Sequence, residues 1–198
     1  MKQQILDLCR ALRLGNHISE VYQDIEADNH EEFLVKLLQE TVDDRIRKRK
    51  NRYIQQAHFD LMKDFSDFDF SHLTLPSSLS PEDLLKGDFV EQKQNLILYG
   101  KPGTGKTHLA IALGIEACKR DQRVLFYKTS RLVNHLVEAK KEGTSQRFWK
   151  TLKSTDLLIL DEWGYIPFER TGTQLLFEAV SDCYEKRSVI LTTNLSFD

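Results

Sequence analysis

The eight residues "GKPGTGKT", Gly100 to Thr107, constrain the fold of this chain more than any other stretch. Gly100, Gly103 and Gly105 allow a loop whose backbone N–H groups turn inward around a diphosphate, and such a loop opens onto a helix whose N-terminal dipole favours anions. That reading requires a strand before the loop and a helix after it. Leu96, Ile97 and Leu98 supply the apolar strand, and Leu109, Ala110, Leu113 and Ala117 share one helical face. A chance glycine turn between strand and helix is the competing reading. On the first reading Gly100, Lys101, Pro102, Gly103, Thr104, Gly105, Lys106, Thr107 and His108 form a cradle for a nucleoside triphosphate. Lys106 reaches the β- and γ-phosphates, and the Thr107 hydroxyl is a hard oxygen ligand for Mg2+. His108, inside the helix, is also read as structural.

The rest of the chain supplies the architecture that such a loop needs. From Asn95 onward strands and helices alternate: strand 95–99, helix 106–120, strand 123–128, helices near 130–141 and 145–153, strand 156–160, helix 171–186, strand 188–193. Alternation of this kind implies a mainly parallel sheet covered by helices on both faces. Upstream, Phe33, Leu34, Leu37, Leu38, Ile46, Ile54, Phe59 and Met62 recur at helical spacing with no proline or glycine between them, so residues 31–63 read as a helix or helix pair. Pro76, Pro81 and Gly87 then mark an irregular connector. The expected organisation is a helical segment over 1–66, a connector over 67–94 and a nucleotide-binding core over 95–198.

Two further motifs complete the chemistry. In "LLILDE", residues 157–162, an apolar strand presents Asp161 and Glu162 at its carboxyl end, where open α/β sheets bind ligands. Asp161 is placed in the Mg2+ shell, and Glu162 is placed to orient and activate water for attack on the γ-phosphate. A phosphotransferase would not need that second carboxylate, which argues against a small-molecule kinase. In "VILTTN", residues 189–194, Asn194 ends a β-branched strand. If that strand lies between those carrying the glycine loop and Asp161, Asn194 contacts the γ-phosphate or the attacking water; a capping asparagine is the other reading.

Composition narrows the setting. The 198 residues carry a net charge of −2, so no global basic field announces nucleic acid. Cys9, Cys118 and Cys183 are too few and too dispersed for a metal cluster or disulfide framework, which fits a reducing cytosol. No apolar run approaches the roughly 20 residues of a membrane span, and the N-terminus lacks a secretory pattern. A cytoplasmic protein is the expectation.

"LYGKPGTGKTHLAIALG", "LLILDEWGYIPF" and "LTTNLSF", with "EEFLVKLLQETVDDRIRKRKNRYIQQAHF" and "FDF" upstream, resemble the IstB-type transposition helper ATPases, relatives of the DnaC-type helicase loaders in the AAA+ class. The resemblance covers nearly the whole chain and implies a bacterial, ATP-dependent homo-oligomer that assembles on double-stranded DNA and assists a transposase. It gives Lys106, Asp161, Glu162 and Asn194 catalytic roles and makes Thr107 and Asp161 the metal ligands. A helicase loader is the nearest alternative, and an adaptor that binds ATP without needing hydrolysis is another.

The resemblance also implies an arginine finger, a fifth core strand and a helical lid beyond the Asn194 strand, whereas this sequence stops at Asp198. A truncated chain of that kind is expected to bind ATP–Mg2+ but turn it over very slowly, and to leave the glycine-loop strand at a sheet edge. Should it be active regardless, Arg131, Arg147, Arg170 or Arg187 would be the finger.

DNA contact rests on separate residues. "RIRKRKNR" places Arg45, Arg47, Lys48, Arg49, Lys50 and Arg52 in one helical stretch without an acid, enough to neutralise several phosphates in a salt-sensitive way; a solvated helix face is the other reading. Between Lys128 and Lys153 two helices stand where a minimal core needs one. They carry Lys140, Lys141, Arg147 and Lys150 among seven basic residues against two acids. No base-reading motif appears, so backbone contact without strong sequence preference is expected.

Overall fold

A computed structural model describes residues 1–77, 79–165 and 167–195. Ser78, Ile166 and Ser196–Asp198 lie outside the described residues, and with them the ends of "DEWGYI" and "LTTNLSF". The chain divides into two compact units, Met1–Asn51 and Arg52–Asp198. The division falls upstream of the boundary expected after residue 66.

The first unit holds α1 (Lys2–Ala11), α2 (Ile18–Val21) and most of α3 (His30–Gln56). The α3 helix starts at Asn29, whose side chain accepts the Glu32 N–H at 2.9 Å while Glu32 reaches back to the Asp28 N–H at 2.9 Å. The first bond satisfies a donor that the helix itself leaves unpaired, and the second ties the preceding residue to the first turn. Helix α3 ends at Gln56, short of the expected residue 63, because His58 adopts φ +61 and turns the chain out of the helix.

In the second unit, β1 (Leu96–Tyr99), β2 (Val124–Lys128), β3 (Leu157–Trp163) and β4 (Ser188–Thr193) form one sheet in the order β1-β4-β3-β2, with every pairing parallel. Strand alternation sorts the side chains to two faces. Val124, Phe126, Leu157, Ile159 and Ile190 pack against α6 (Lys106–Lys119), while Leu125, Leu158, Leu160 and Val189 pack under α7 (Thr129–Lys141), α8 (Ser145–Lys153) and α9 (Arg170–Cys183). Strand β4 lies between β1 and β3, as the Asn194 reading requires, and β1 is at the edge of the four described strands. Strand β3 runs past the expected residue 160 to Trp163, with an irregularity between Leu160 and Trp163.

The expected connector is partly helical. Ser80 and Asp83 form a capping box, Pro81 occupies the first turn, and Gly87 at φ +69 closes α4 (Pro81–Lys86) before α5 (Asp88–Glu91). Leu175, Leu176, Ala179 and Cys183 are buried, but Tyr184 follows the helix and is exposed.

Leu158 sits fully buried in β3, an interior strand. Leu158→Ala is expected to cost about 3 kcal/mol of unfolding free energy, from lost transfer energy plus the cavity left behind. Denaturant titration checks this, and a loss below about 1 kcal/mol would show that the packing around β3 relaxes to fill the space.

Candidate nucleotide site

The site grows from three parallel strand tips. β1 runs into the glycine loop, β4 ends beside it, and β3 ends beyond β4, so the three sequence motifs meet at one sheet edge. The register is locked there: the Gly100 N–H donates to the Thr193 carbonyl at 3.3 Å, and the Thr193 hydroxyl donates to the Trp163 carbonyl at 2.8 Å. Gly103 and Gly105 hold φ +78 and +84, a region that side-chain-bearing residues avoid. A Cβ on Gly105 would also stand 3.2 Å from the Phe68 ring.

Inside the loop the Lys106 ammonium donates to the carbonyls of Gly100 and Lys101, both at 2.8 Å, and the Thr104 hydroxyl donates to Lys101 O at 2.9 Å. Burial lowers the Lys106 pKa, against the opposing pull of Asp161. The loop thus presents a partly desolvated cation with its carbonyls turned to the lysine.

Asp161 is 1% exposed beneath the loop. Its Oδ1 accepts from the Thr107 hydroxyl at 2.8 Å and from the Thr192 hydroxyl, and Thr192 Oγ1 in turn accepts the Glu162 N–H at 3.1 Å. The Thr129 hydroxyl donates to the Asp161 carbonyl at 2.8 Å. These bonds couple α6, β3 and β4 through one carboxylate. Thr192 and Thr129 were not singled out from sequence; Thr192 precedes Asn194 by two residues in "LTTN", which was the available signal.

Glu162 takes φ +59, an unusual conformation for a residue with a side chain, at the β3 irregularity. Its Oε1 accepts from Lys128 Nζ at 2.8 Å across the β2–β3 pair, and that bond raises the Lys128 pKa. Asn194 Oδ1 is buried with no hydrogen-bond partner among the described residues. A cavity of about 410 Å3 is lined by the loop from Pro102 to His108 together with Lys63, Glu162, Tyr165, Thr192 and Asn194. His108 is anchored elsewhere as well, its Nε2 donating to the Asp64 carbonyl at 2.7 Å. Tyr165, within "LLILDEWGYIPF", also lines the cavity, and Lys63 is a cavity residue that no motif announced.

The oxygen donors Thr107 and Asp161, 2.8 Å apart, are of the type Mg2+ prefers. Among the described residues no group of three or more His, Cys, Asp or Glu could hold a metal ion alone. A Mg2+ here would therefore draw its remaining ligands from phosphates and water.

The basic residues divide into two groups. In the first unit Arg45 donates to the Arg13 carbonyl at 2.6 Å, while Arg47 and Lys48 contact the buried Asp44 at 3.1 and 2.7 Å. These contacts hold three of the six cations of "RIRKRKNR" within the fold, and Arg49 is engaged as well. Lys140 and Lys141 on α7 and Arg147 and Lys150 on α8 are exposed, with no ion pair among the described residues.

Among the described residues no helix is long and apolar enough to cross a membrane. Comparison with known proteins places this geometry. The sequence profile of a family described as IstB-like ATP binding protein matches residues 7–198. The ATP-binding protein named for insertion sequence IS21 in Pseudomonas aeruginosa is 39% identical over 169 residues, 85% of this chain and 64% of that relative. Its counterpart named for IS232 in Bacillus thuringiensis subsp. berliner is 32% identical over 97% of this chain and 78% of that relative. This chain therefore spans under two thirds of the first relative and about three quarters of the second. Among solved structures, the DnaC helicase loader superposes with a TM-score of 0.55 at 26% identity, over 74% of this chain and 81% of that one. AMPPCP-bound DnaA from Aquifex aeolicus gives 0.58 at 26% identity, over 70% of this chain and 44% of that one. The parallel sheet with flanking helices is the AAA+ P-loop fold.

Proposed function

The chain belongs to the family of IstB-like ATP binding proteins, and from that premise we propose that it is an ATPase switch that binds ATP–Mg2+, hydrolyses it, and assists a transposase on DNA. The observation that carries the nucleotide part is the Thr107–Asp161–Thr192 coupling under a glycine loop beside a cavity. Loop N–H groups and Lys106 bind the phosphates. Thr107 and Asp161 would hold Mg2+, which supplies charge neutralisation at the transferring phosphoryl group.

The remaining steps belong to side chains. Glu162 accepts a proton from the attacking water once it is released from Lys128. Asn194 Oδ1, a buried acceptor without a donor among the described residues, suits a water O–H, and the amide Nδ2 can donate to a phosphate oxygen. Asn194 therefore orients the water as the γ-phosphate arrives.

The relatives are named for insertion sequences, which supports the transposase partner over the helicase of the DnaC-like structural neighbour. For DNA, the four exposed cations of α7 and α8 are a stronger candidate than "RIRKRKNR", much of which is internally bonded. Replacing Lys140, Lys141, Arg147 and Lys150 together by alanine is expected to weaken duplex binding and lower the slope of log affinity against log salt by about one unit per lost phosphate contact. Fluorescence anisotropy with ATP across a salt series measures this, beside co-purification with the transposase of the same insertion sequence. An unchanged slope would remove α7 and α8 from the DNA surface, and failure to retain the transposase would turn the reading towards a loader.

A further inference from the structure

We propose that Lys63 is a phosphate-binding residue supplied from outside the glycine loop, on a strap over residues 57–70 that the fold ties down beside the N-terminal end of α6. The proposal rests on reading the cavity as a nucleotide site. The strap is fixed at several independent points. The Ala57 carbonyl accepts the Phe126 N–H at 2.8 Å, so the strap begins alongside β2, and the Phe59 ring packs 5.9 Å from Phe126. Asp60 pairs with Arg131 at 3.0 Å. The Asp64 carbonyl accepts from His108 at 2.7 Å, and Phe68 stands edge-on to His108 at 5.4 Å while covering Gly105.

Lys63 lies between the Asp60 and Asp64 anchors and lines the cavity, where the carboxylate Glu162 is already paired with Lys128. Both nearby carboxylates are committed elsewhere: Asp60 to Arg131, and Asp64 to the Ser66 backbone N–H and hydroxyl. Lys63 is exposed and has no ion-pair partner among the described residues. A segment this firmly anchored holds a lysine at a cavity mouth at an entropic cost lower than a free loop would pay. Charge gives the occupant. Lys106 is the cavity's other ammonium, Glu162 is neutralised by Lys128, and a nucleoside triphosphate brings more negative charge than Lys106 alone offsets. A second, solvent-facing cation therefore contributes through a charge-assisted contact that salt can screen.

The test titrates ATP, ADP, AMP and adenosine into the full chain and into Lys63→Ala, Lys63→Arg and Lys106→Ala, at low and high salt. Lys63→Ala is expected to weaken ATP binding roughly fivefold. That penalty should shrink with each phosphate removed and with added salt, and Lys63→Arg should recover most of the affinity. Thermal melts of each variant guard against loss of the strap itself. ATP affinity within twofold of the parent in a folded Lys63→Ala, or an equal penalty for adenosine, overturns the assignment. If Lys106→Ala loses ATP while Lys63→Ala does not, the nucleotide site stands and the role of Lys63 falls. If the unsubstituted chain binds no nucleotide, the site reading falls first.

Discussion

Lys106→Ala is expected to weaken ATP and ADP binding by about a hundredfold or more. The ammonium is part-buried, and its present partners are two loop carbonyls at 2.8 Å. A bound phosphate would take the place of those carbonyls as the partner of the Lys106 ammonium. A hydrogen bond between charged groups is worth roughly 1.5–3 kcal/mol, and partial desolvation moves the value to the upper part of that range. About 3 kcal/mol corresponds to roughly a hundredfold in dissociation constant. Burial lowers the pKa of Lys106, and a bound phosphate opposes that pressure by favouring the charged form. Binding therefore takes up protons in the alkaline range, and this proton uptake should vanish in Lys106→Ala. Calorimetry in two buffers of different ionisation enthalpy measures it. Retained nanomolar or low-micromolar affinity in Lys106→Ala would mean that the backbone N–H groups alone hold the phosphates.

How far the site could be read from sequence depends on whether its contacts are local. The strand–loop–helix unit around Gly100–Thr107 was legible because each part carries its own signal within a few residues: a short apolar run, three glycines, and a helical face ending at Ala117. The position of β4 between β1 and β3 was legible only as a condition, since strand order is decided by packing. The α4 helix carried a local signal that was outweighed. Pro76, Pro81 and Gly87 read as breakers, yet Pro81 after Ser80 and Gly87 at the far end are the start and stop of a capped helix. The end of α3 had no such signal. Phe59 continues the helical spacing, but its burial comes from Phe126 and the sheet, a contact distant in sequence. Lys63, Thr129 and the Lys128–Glu162 pair were illegible for the same reason, because their neighbours arrive only when the sheet closes. The basic run erred in the other direction. Its charge count is correct, but Asp44, one residue upstream of Arg45, is buried among Arg47, Lys48 and His17 and holds part of that charge inside the fold.

Glu162→Gln is expected to leave ATP affinity within about twofold and to lower turnover by roughly 10²- to 10⁴-fold, the usual range for removing a positioned general base. The substitution is nearly isosteric, and the amide oxygen can still accept from Lys128, so the pair across β2 and β3 survives in outline. The φ of +59 is equally uncomfortable for either side chain, which keeps the β3 irregularity and its cost unchanged. What the amide cannot do is take a proton from water. Steady-state phosphate release beside nucleotide titration separates the two effects, and retained turnover would move the base elsewhere. The ion pair sharpens the experiment. Lys128 holds the Glu162 carboxylate at 2.8 Å, and that bond has to open before the carboxylate can turn to a water. Lys128→Met should therefore change turnover in the parent chain but not in a Glu162→Gln background. Equal effects in both backgrounds would show that Lys128 acts on something other than this carboxylate, because a double-mutant cycle reports coupling only between groups that interact.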